Sequence, residues 1–181
     1  MPRAYIALGA NIPSPAGAPE ATLAAAAERL AVVGHVAARS SLYSTAPVGF
    51  HDQPRFVNAA IALDTELSPR ELLDALLALE LGFGRDRAAS AANGPRTLDL
   101  DLLFYGDLVL CETGLELPHP RLAERAFVLV PLQEIAPDFR DPSSQKTVAE
   151  LLRALTCSTA QNAVLSIAYA GWSTQVSSVA D

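Results

Sequence analysis

Two aspartates, Asp99 and Asp101, have the side chains and the spacing most suited to chemistry. They alternate with Leu98, Leu100 and Leu102, and alternation with a period of two is typical of a strand with one buried face. Residues two apart on a strand point to the same side, about 6 to 7 Å apart, so both carboxylates could bind the same hard cations. Mg²⁺ prefers oxygen ligands and would offset the repulsion between the two charges. The pattern also fits a strand whose polar face contacts only water.

Arginines lie close to this strand in the sequence. Arg96 lies at its start, after the turn-forming segment Asn93-Gly94-Pro95, and Arg85 and Arg87 lie one loop upstream. A planar guanidinium donates paired hydrogen bonds to phosphate oxygens, so ligands for a metal and for phosphate converge where the strand begins. Between positions 85 and 125 the chain contains five arginines, namely Arg85, Arg87, Arg96, Arg121 and Arg125.

The charge balance narrows the class of ligand. The net charge is −7 and Lys146 is the only lysine. Because duplex binding needs clustered positive charge, this balance argues against a nucleic-acid surface. A local arginine cluster in an acidic chain instead favours a small, highly phosphorylated ligand.

Length and composition predict a folded globular protein. The chain has 181 residues, of which 50% are hydrophobic, which is enough for one domain with a core. The sequence shows no long uncharged apolar run and leads directly into a strand pattern, so we expect no signal peptide, no membrane partner and a cytoplasmic location. Cys111 and Cys157 lack metal-ligand or redox spacing and are expected to be reduced.

Three other polar side chains each have a structural and a functional interpretation. His119 is held between two prolines, and a lone histidine is more often structural than catalytic. Glu80 shares a helix face with Leu73 and Leu76, where it could pair with an arginine or contact a ligand. Asn58 interrupts an apolar strand, so its amide could satisfy neighbouring backbone or recognise the donor and acceptor edge of a ligand.

The pattern in the first half of the chain predicts strands separated by one helix. We expect strands over Tyr5–Gly9, Val36–Tyr43 and Phe56–Leu63, and a helix that begins near Pro19 and ends before Gly34. The loop between the second and third strands is longer than a hairpin needs. Long loops often carry substrate contacts, although a plain surface loop fits as well.

The second half begins with a helix capped by Ser68-Pro69 and leads, through an alanine-rich segment that could be a lid, to the aspartate strand. A turn at Tyr105–Asp107 predicts a hairpin into Leu108–Leu110. Helices are expected over Leu122–Val130, with Arg121 and Arg125 on one face, and near Val148–Leu155. From Thr156 onward the pattern does not say whether the chain packs.

Five segments, in this order, match the sequence pattern of one known family: Tyr5–Asn11, Tyr43–Gly49, Gln53–Ala60, Gly94–Phe104 and Pro118–Phe127. They resemble the hydroxymethyl-dihydropterin pyrophosphokinase family, folate-pathway enzymes that transfer pyrophosphate from ATP to a pterin alcohol. The resemblance covers residues 4 to 155 and implies a pyrophosphokinase domain over 1–155, followed by a C-terminal tail over 156–181 of unknown role. The chain differs from the family's pattern at Ala88, Asn93 and Phe56.

The resemblance implies an α+β, ferredoxin-like fold, an antiparallel sheet with helices on one face. The predicted order of strands and helices agrees with that fold. It also implies ATP as co-substrate, two Mg²⁺ ions held by Asp99 and Asp101, a reduced pterin as acceptor and AMP as product. We expect a monomer.

The matching positions carry the family's site roles by resemblance only. Catalytic residues would be Arg85, Arg87, Arg96, Asp99 and Asp101. Nucleotide-binding residues would be Glu80, Arg85, Arg87, Arg96, Leu102, His119 and Arg125. Pterin-binding residues would be Thr45, Pro47, Val48, Gly49, Phe56, Asn58 and Phe127, with the two phenylalanines on either side of the flat ring.

Two alternatives use the same residues differently. A two-metal nucleotidyl-transfer or cyclase domain also carries strand carboxylates for Mg²⁺, but the chain lacks a basic track for a polynucleotide and a GxxxxGK[ST] loop. A ferredoxin-like ligand-sensing module would need no metal at the aspartates. A shared fold cannot separate these activities.

Overall fold

A computed structural model describes residues 1–49, 52–85, 94–158 and 164–176. The strands are β1 Arg3–Ala10, β2 His35–Arg39, β3 Leu42–Thr45, β4 Phe56–Asp64, β5 Asp99–Tyr105, β6 Leu110–Glu112, β7 Leu115–Leu117, β8 Leu165–Ile167 and β9 Gln175–Val176. The helices are α1 Pro19–Leu30, α2 Pro69–Gly82, α3 Ala126–Ile135 and α4 Val148–Ser158, with a 3₁₀ turn over Leu122–Glu124.

Within the described residues, one antiparallel sheet of seven strands forms the centre of the fold. Strand β1 lies between β5 and β4. The other edge of β4 pairs with β2 at one end and β3 at the other, and β9 and β8 pair in turn with β2 and β3. Because the register sets Gly9 opposite both Asp99 and Asn58, the end of β1 brings the aspartate strand close to β4.

Helices α1 and α2 cover one face of the sheet. Leu23 and Leu30 of α1 and Leu72 and Leu76 of α2 are fully buried against alternate residues of the strands, such as Ile6. Ser68 begins α2 with a capping box in which its hydroxyl and the Glu71 side chain satisfy each other's backbone amides. The predicted N-cap is confirmed.

Helices α3 and α4 cover the other face, so the sheet has helices on both faces, one layer more than expected. Their Leu129 and Leu151 pack with the strand residues that point away from α1, including Tyr5, Ala60 and Phe104. The central strands are apolar on both sides, and the small Ala60 lets a helix lie close to the sheet. The α+β, ferredoxin-like class is confirmed, and the second helical layer is the difference.

Three local predictions differ from the structure. The strand expected over Val36–Tyr43 is two strands, because Ser40 and Ser41 interrupt it. The turn at Tyr105–Asp107 does not lead to a hairpin with β5; β6 pairs with β7 instead. The helix expected over Leu122–Val130 is broken at Arg125, whose backbone is extended, so Arg121 and Arg125 do not share one helix face.

The described part of the C-terminal segment packs on the sheet. Strands β8 and β9 extend its outer edge, and Trp172 between them is 9% exposed. Of the helices in the described ranges, each is too short or too polar to cross a membrane.

Candidate active site

An open cleft lies where the end of β1, the end of β3 and the starts of β4 and β5 meet the start of α3. Charged side chains line one part of it and uncharged side chains the other. The lining residues are Gly9, Thr45, Ala46, Val48, Phe56, Asn58, Arg96, Asp99, Arg125 and Phe127.

Asp99 accepts hydrogen bonds from two arginines. Arg85 Nη1 lies 2.5 Å from Asp99 Oδ1, and Arg96 Nη1 lies 2.5 Å from Asp99 Oδ2. The Arg85 side chain is only 10% exposed and also donates to the Leu98 carbonyl. These charge-assisted bonds hold the first carboxylate of the strand and two of the predicted phosphate ligands in one place.

Asp101 has a looser arrangement. Arg125 Nη1 lies 3.2 Å from Asp101 Oδ2, and the two side chains are 20% and 27% exposed. The Arg125 guanidinium also lies 5.7 Å from the centre of the Phe127 ring, and Arg96 lies 5.5 Å from that of Phe56. Two arginines therefore lie at the border between the carboxylates and the aromatic rings.

Glu80 is buried behind the aspartate strand. It is 1% exposed, and its Oε1 accepts a hydrogen bond of 2.8 Å from the backbone amide of Leu100. Its other oxygen lies 3.6 Å from Arg85 Nε. These contacts favour the structural interpretation, in which Glu80 positions β5 and Arg85, over direct contact with a ligand.

His119 lies half-buried beside Asp101 and Arg125. Burial is the main reason that its pKa is lowered; Asp101 opposes this effect and Arg125 adds to it. Its Nδ1 accepts a hydrogen bond of 3.2 Å from the Arg121 amide, so the neutral imidazole carries its hydrogen on Nε2. That nitrogen is a hydrogen-bond donor near neutral pH.

The uncharged part of the cleft is built around Asn58. This side chain is 5% exposed, and its Nδ2 donates to Thr45 Oγ1 at 2.8 Å. Its Oδ1 lies so close to the backbone of Gly9 that a Cβ there would approach it to 3.3 Å. Both ends of the amide are therefore constrained by neighbouring strands.

Asn11 is a buried polar residue at this site that the sequence indicated only as part of a turn. It is 2% exposed and accepts a hydrogen bond from the Arg96 amide at 2.8 Å. Its Nδ2 donates to Gln53 Oε1 and to the Pro54 carbonyl. One amide thus joins the loop after β1, the loop before β4 and the segment before β5. Its position after a strand that ends in glycine and alanine was the available signal.

The remaining predicted residues divide into three groups. Pro47, Val48 and Gly49 lie in the loop after β3, where Val48 lines the cleft and is 52% exposed. The Leu102 side chain packs in the core with α1 and α2, on the sheet face away from the aspartates. Arg87, Ala88 and Asn93, and with them the suggested lid, lie outside the described residues.

The donor set at β5 suits Mg²⁺. Within the described ranges there is no cluster of three or more His, Cys, Asp or Glu side chains arranged to hold a metal. Mg²⁺ is commonly bound by one or two carboxylates together with substrate phosphates, and not by an all-protein cage. Asp99 and Asp101, half-buried beside arginines, fit that mode of binding.

The fold and the cleft define a class of protein: a ferredoxin-like α+β chain with paired strand carboxylates, arginines and an uncharged pocket in one cleft. A family model described as 7,8-dihydro-6-hydroxymethylpterin-pyrophosphokinase (HPPK) matches residues 5–137. The chain belongs to this family of enzymes. The family resemblance and the enzyme class expected from the sequence are confirmed, and the cyclase and sensor alternatives are removed.

Relatives with curated names support this result. The chain is 49% identical over 152 residues to 2-amino-4-hydroxy-6-hydroxymethyldihydropteridine pyrophosphokinase of Pseudomonas aeruginosa. The aligned region covers 84% of this chain and 91% of that protein. It is 45% identical over 156 residues to the protein of the same name from Synechocystis. That aligned region covers 85% of this chain and 76% of the Synechocystis protein.

The fold is also that of a solved structure. Plasmodium falciparum HPPK-DHPS with STZ-DHP matches with a TM-score of 0.64 at 14% identity, over 84% of this chain and 43% of that one. At this identity the likeness shows the fold alone. The present chain spans less than half the length of the Plasmodium protein.

Proposed function

We propose that this protein transfers the pyrophosphoryl group of ATP to the hydroxymethyl oxygen of 6-hydroxymethyl-7,8-dihydropterin, with Mg²⁺, and releases AMP. The observation that carries the proposal is one cleft with two unlike parts. One part holds Asp99 and Asp101 among arginines, and the other is lined by the Asn58 amide, Phe56 and Phe127. A triphosphate and a flat heterocycle could therefore meet there.

The arginines would exchange partners when ATP binds. Arg85, Arg96 and Arg125 already hold carboxylates, so phosphate oxygens would replace one anionic partner by another. Each guanidinium keeps a compensating negative charge throughout, which avoids the cost of an unpaired buried charge. Arg87 is proposed to contact the same phosphates, as its sequence position implies.

Asp99 and Asp101 would hold the Mg²⁺ ions. Bound there, Mg²⁺ would supply positive charge that orients the phosphates and offsets the charge of the transferred group. With both carboxylates engaged as ligands, neither is assigned as a general base.

The uncharged residues would bind the pterin. The Asn58 amide has a donor and an acceptor that suit the hydrogen-bonding edge of the ring, and Thr45 orients that amide. Phe56 and Phe127 would stack on its two faces, and Pro47, Val48 and Gly49 would close the end of the pocket. His119 Nε2 and the backbone of Leu102 would contact the nucleotide, with Glu80 holding the strand in position.

The transfer is an in-line displacement at the β-phosphorus. A bond forms between the pterin hydroxymethyl oxygen and that phosphorus, the bond to the oxygen of the α-phosphate breaks, and the hydroxyl proton passes to water. Arginines at the phosphates would stabilise the charge that develops on the departing AMP. The part of this reaction done by the chain is positioning and charge stabilisation.

One incubation tests the proposal. Purified protein is mixed with ATP, Mg²⁺ and the reduced pterin, and the nucleotides are separated by chromatography. We expect AMP and a pterin diphosphate in equal amounts. Formation of ADP, or nucleotide hydrolysis that does not depend on the pterin, would overturn the proposal.

Four further expectations remain proposals. The protein is expected in the cytoplasm and as a monomer, with small molecules as its only binding partners. The fourth is a pyrophosphokinase domain over 1–155 followed by a C-terminal tail over 156–181.

A further inference from the structure

The C-terminal segment over residues 164–176 lies beyond residues 5–137, the region that matches the family. Its strand β8 pairs antiparallel with β3, setting Leu42 opposite Ile167, Tyr43 opposite Ser166 and Ser44 opposite Leu165. Strand β3 has only four residues, and its other edge pairs with β4. Without β8, the short strand β3 would lie at the edge of the sheet, so the segment completes its pairing.

Trp172 holds the C-terminal segment in place at Ser40, in the short break between β2 and β3. Ser40 in that interruption uses its amide and hydroxyl to bond the backbone of Ala60 in β4. Its carbonyl accepts a hydrogen bond of 2.7 Å from Trp172 Nε1, in a buried position. The Arg39 guanidinium lies 5.8 Å from the centre of the indole ring. The indole thus satisfies a buried carbonyl and covers the junction of the two strands.

The opposite side of β3 is held by α3. Glu134 accepts hydrogen bonds from the Ser41 amide at 2.8 Å, the Ser41 hydroxyl at 2.9 Å and the Tyr43 hydroxyl at 2.8 Å. These contacts position the start and the face of β3. The edge of the strand depends on β8 and Trp172.

Strand β3 leads directly to the uncharged part of the cleft. Tyr43 is opposite both Asn58 of β4 and Ser166 of β8, so β3 lies between the C-terminal segment and the central amide of the cleft. Two residues further, Thr45 accepts the hydrogen bond of Asn58, and the pocket loop follows. The carboxylates on β5 lie on the far side of β1 and β4.

We propose that residues 164–176 form a clasp that positions β3 for pterin binding, and that Trp172 is its main positioning residue. The clasp rests on the proposed function, since it concerns the pterin side of the same cleft. It acts on the pterin pocket and leaves the nucleotide side unchanged.

Two substitutions in the full-length chain test the clasp. Trp172→Phe keeps a ring but removes the hydrogen bond to Ser40, and Trp172→Ala removes both. Dissociation constants for the reduced pterin and for a non-hydrolysable ATP analogue with Mg²⁺ are measured by calorimetry. We expect Trp172→Ala to weaken pterin binding about tenfold, Trp172→Phe to weaken it less, and both to leave binding of the ATP analogue unchanged.

A destabilised control separates positioning from general stability. Leu151→Ala removes a buried side chain from α4, on a helix that packs away from β3, and should lower the thermal midpoint while leaving the pterin dissociation constant unchanged. Unchanged pterin binding in Trp172→Ala, or equal weakening of both ligands, would overturn the clasp.

Amide hydrogen exchange gives a readout that does not depend on pterin. In Trp172→Ala we expect faster exchange in β3, with β1 and β5 unchanged. Unchanged protection of β3 would overturn the clasp by itself. If the wild-type chain binds no pterin, the proposed function fails and the role of the clasp in ligand binding fails with it. Normal wild-type binding with an unaffected Trp172→Ala overturns the clasp alone.

Discussion

The two parts of the cleft are held in place by different forces. Around β5 the contacts join opposite charges, as between Asp99 and Arg96 at 2.5 Å and between Asp101 and Arg125 at 3.2 Å. Around β3 and β4 the contacts are neutral hydrogen bonds, such as that from Asn58 to Thr45 at 2.8 Å. The charged part is half-buried, whereas Asn58 and Thr45 are almost fully buried.

This difference indicates how each part can respond to a ligand. Ion pairs can exchange one anion for another at little cost because charge stays compensated. A buried amide whose partners come from neighbouring strands has no such freedom, so it presents one orientation to any ligand. The charged part is therefore expected to rearrange on binding, and the uncharged part to be preformed.

The largest effect is expected from Asp101→Asn, which removes a proposed Mg²⁺ ligand with one long contact to Arg125. We expect turnover to fall by about 10² to 10³. The thermal midpoint should change little. The measurement is AMP release at saturating substrates, with the exposed Asp107→Asn in the next turn as control. A large loss of stability would instead assign Asp101 a structural role.

Asp99→Asn should lower turnover about as much as Asp101→Asn, but it should also lower the free energy of unfolding. Its carboxylate separates two arginines, of which Arg85 is only 10% exposed. Without that charge the two guanidiniums repel each other, so we expect a loss of about 1 to 3 kcal/mol in the free energy of unfolding. Urea unfolding of Asp99→Asn and Asp101→Asn side by side measures the difference. Equal stability of the two variants would contradict the contrast between tight and loose pairing.

Thr45→Val tests whether the Asn58 amide is held in one orientation before the pterin binds. It leaves Asn58 Nδ2 without the acceptor at 2.8 Å in a buried position, at nearly unchanged volume. We expect KM for the pterin to rise about tenfold, with KM for ATP unchanged, because only the uncharged part loses orientation. Steady-state kinetics with each substrate varied in turn provide the test. Thr113→Val, in an exposed turn, is the control, and a parallel rise in both KM values would count against separate parts.

The smallest effect is expected far from the cleft, at the pair of Arg3 and Asp64. Hydrogen bonds from Arg3 at 2.7 and 2.8 Å are the main reason that the pKa of Asp64 lies below its ordinary value of 3.8. The ionised carboxylate therefore stabilises the fold above that value, and the contribution is lost as pH falls through the lowered pKa.

Asp64→Asn should thus cost less than about 1 kcal/mol at pH 7, since the Arg3 side chain is 38% exposed. The difference from wild type should shrink below pH 3.8. Thermal unfolding at several pH values measures it, and turnover at pH 7 should be unchanged. A stability difference that persists at pH 2 would show that the pair does not act through ionisation.

Local patterns predicted the elements that carry the site. The alternation around Asp99 and Asp101 predicted β5, and Ser68-Pro69 predicted the start of α2, because both signals depend on neighbouring residues. The interruption at Ser40 and the pairing of β6 with β7 were not predicted. A two-residue period says that a strand forms, but it does not say which strand lies beside it.

The order of amino acids sets which side chains are available for chemistry and their local spacing: two carboxylates on one strand face, arginines on both sides and an amide within an apolar strand. Which of these side chains meet depends on the fold of the whole chain. Arg85 reaches Asp99 across 14 positions, Arg125 reaches Asp101 across 24, and Trp172 reaches Ser40 across 132. Such contacts depend on how the sheet is ordered and on which faces the helices cover, and these follow from the packing of the whole chain.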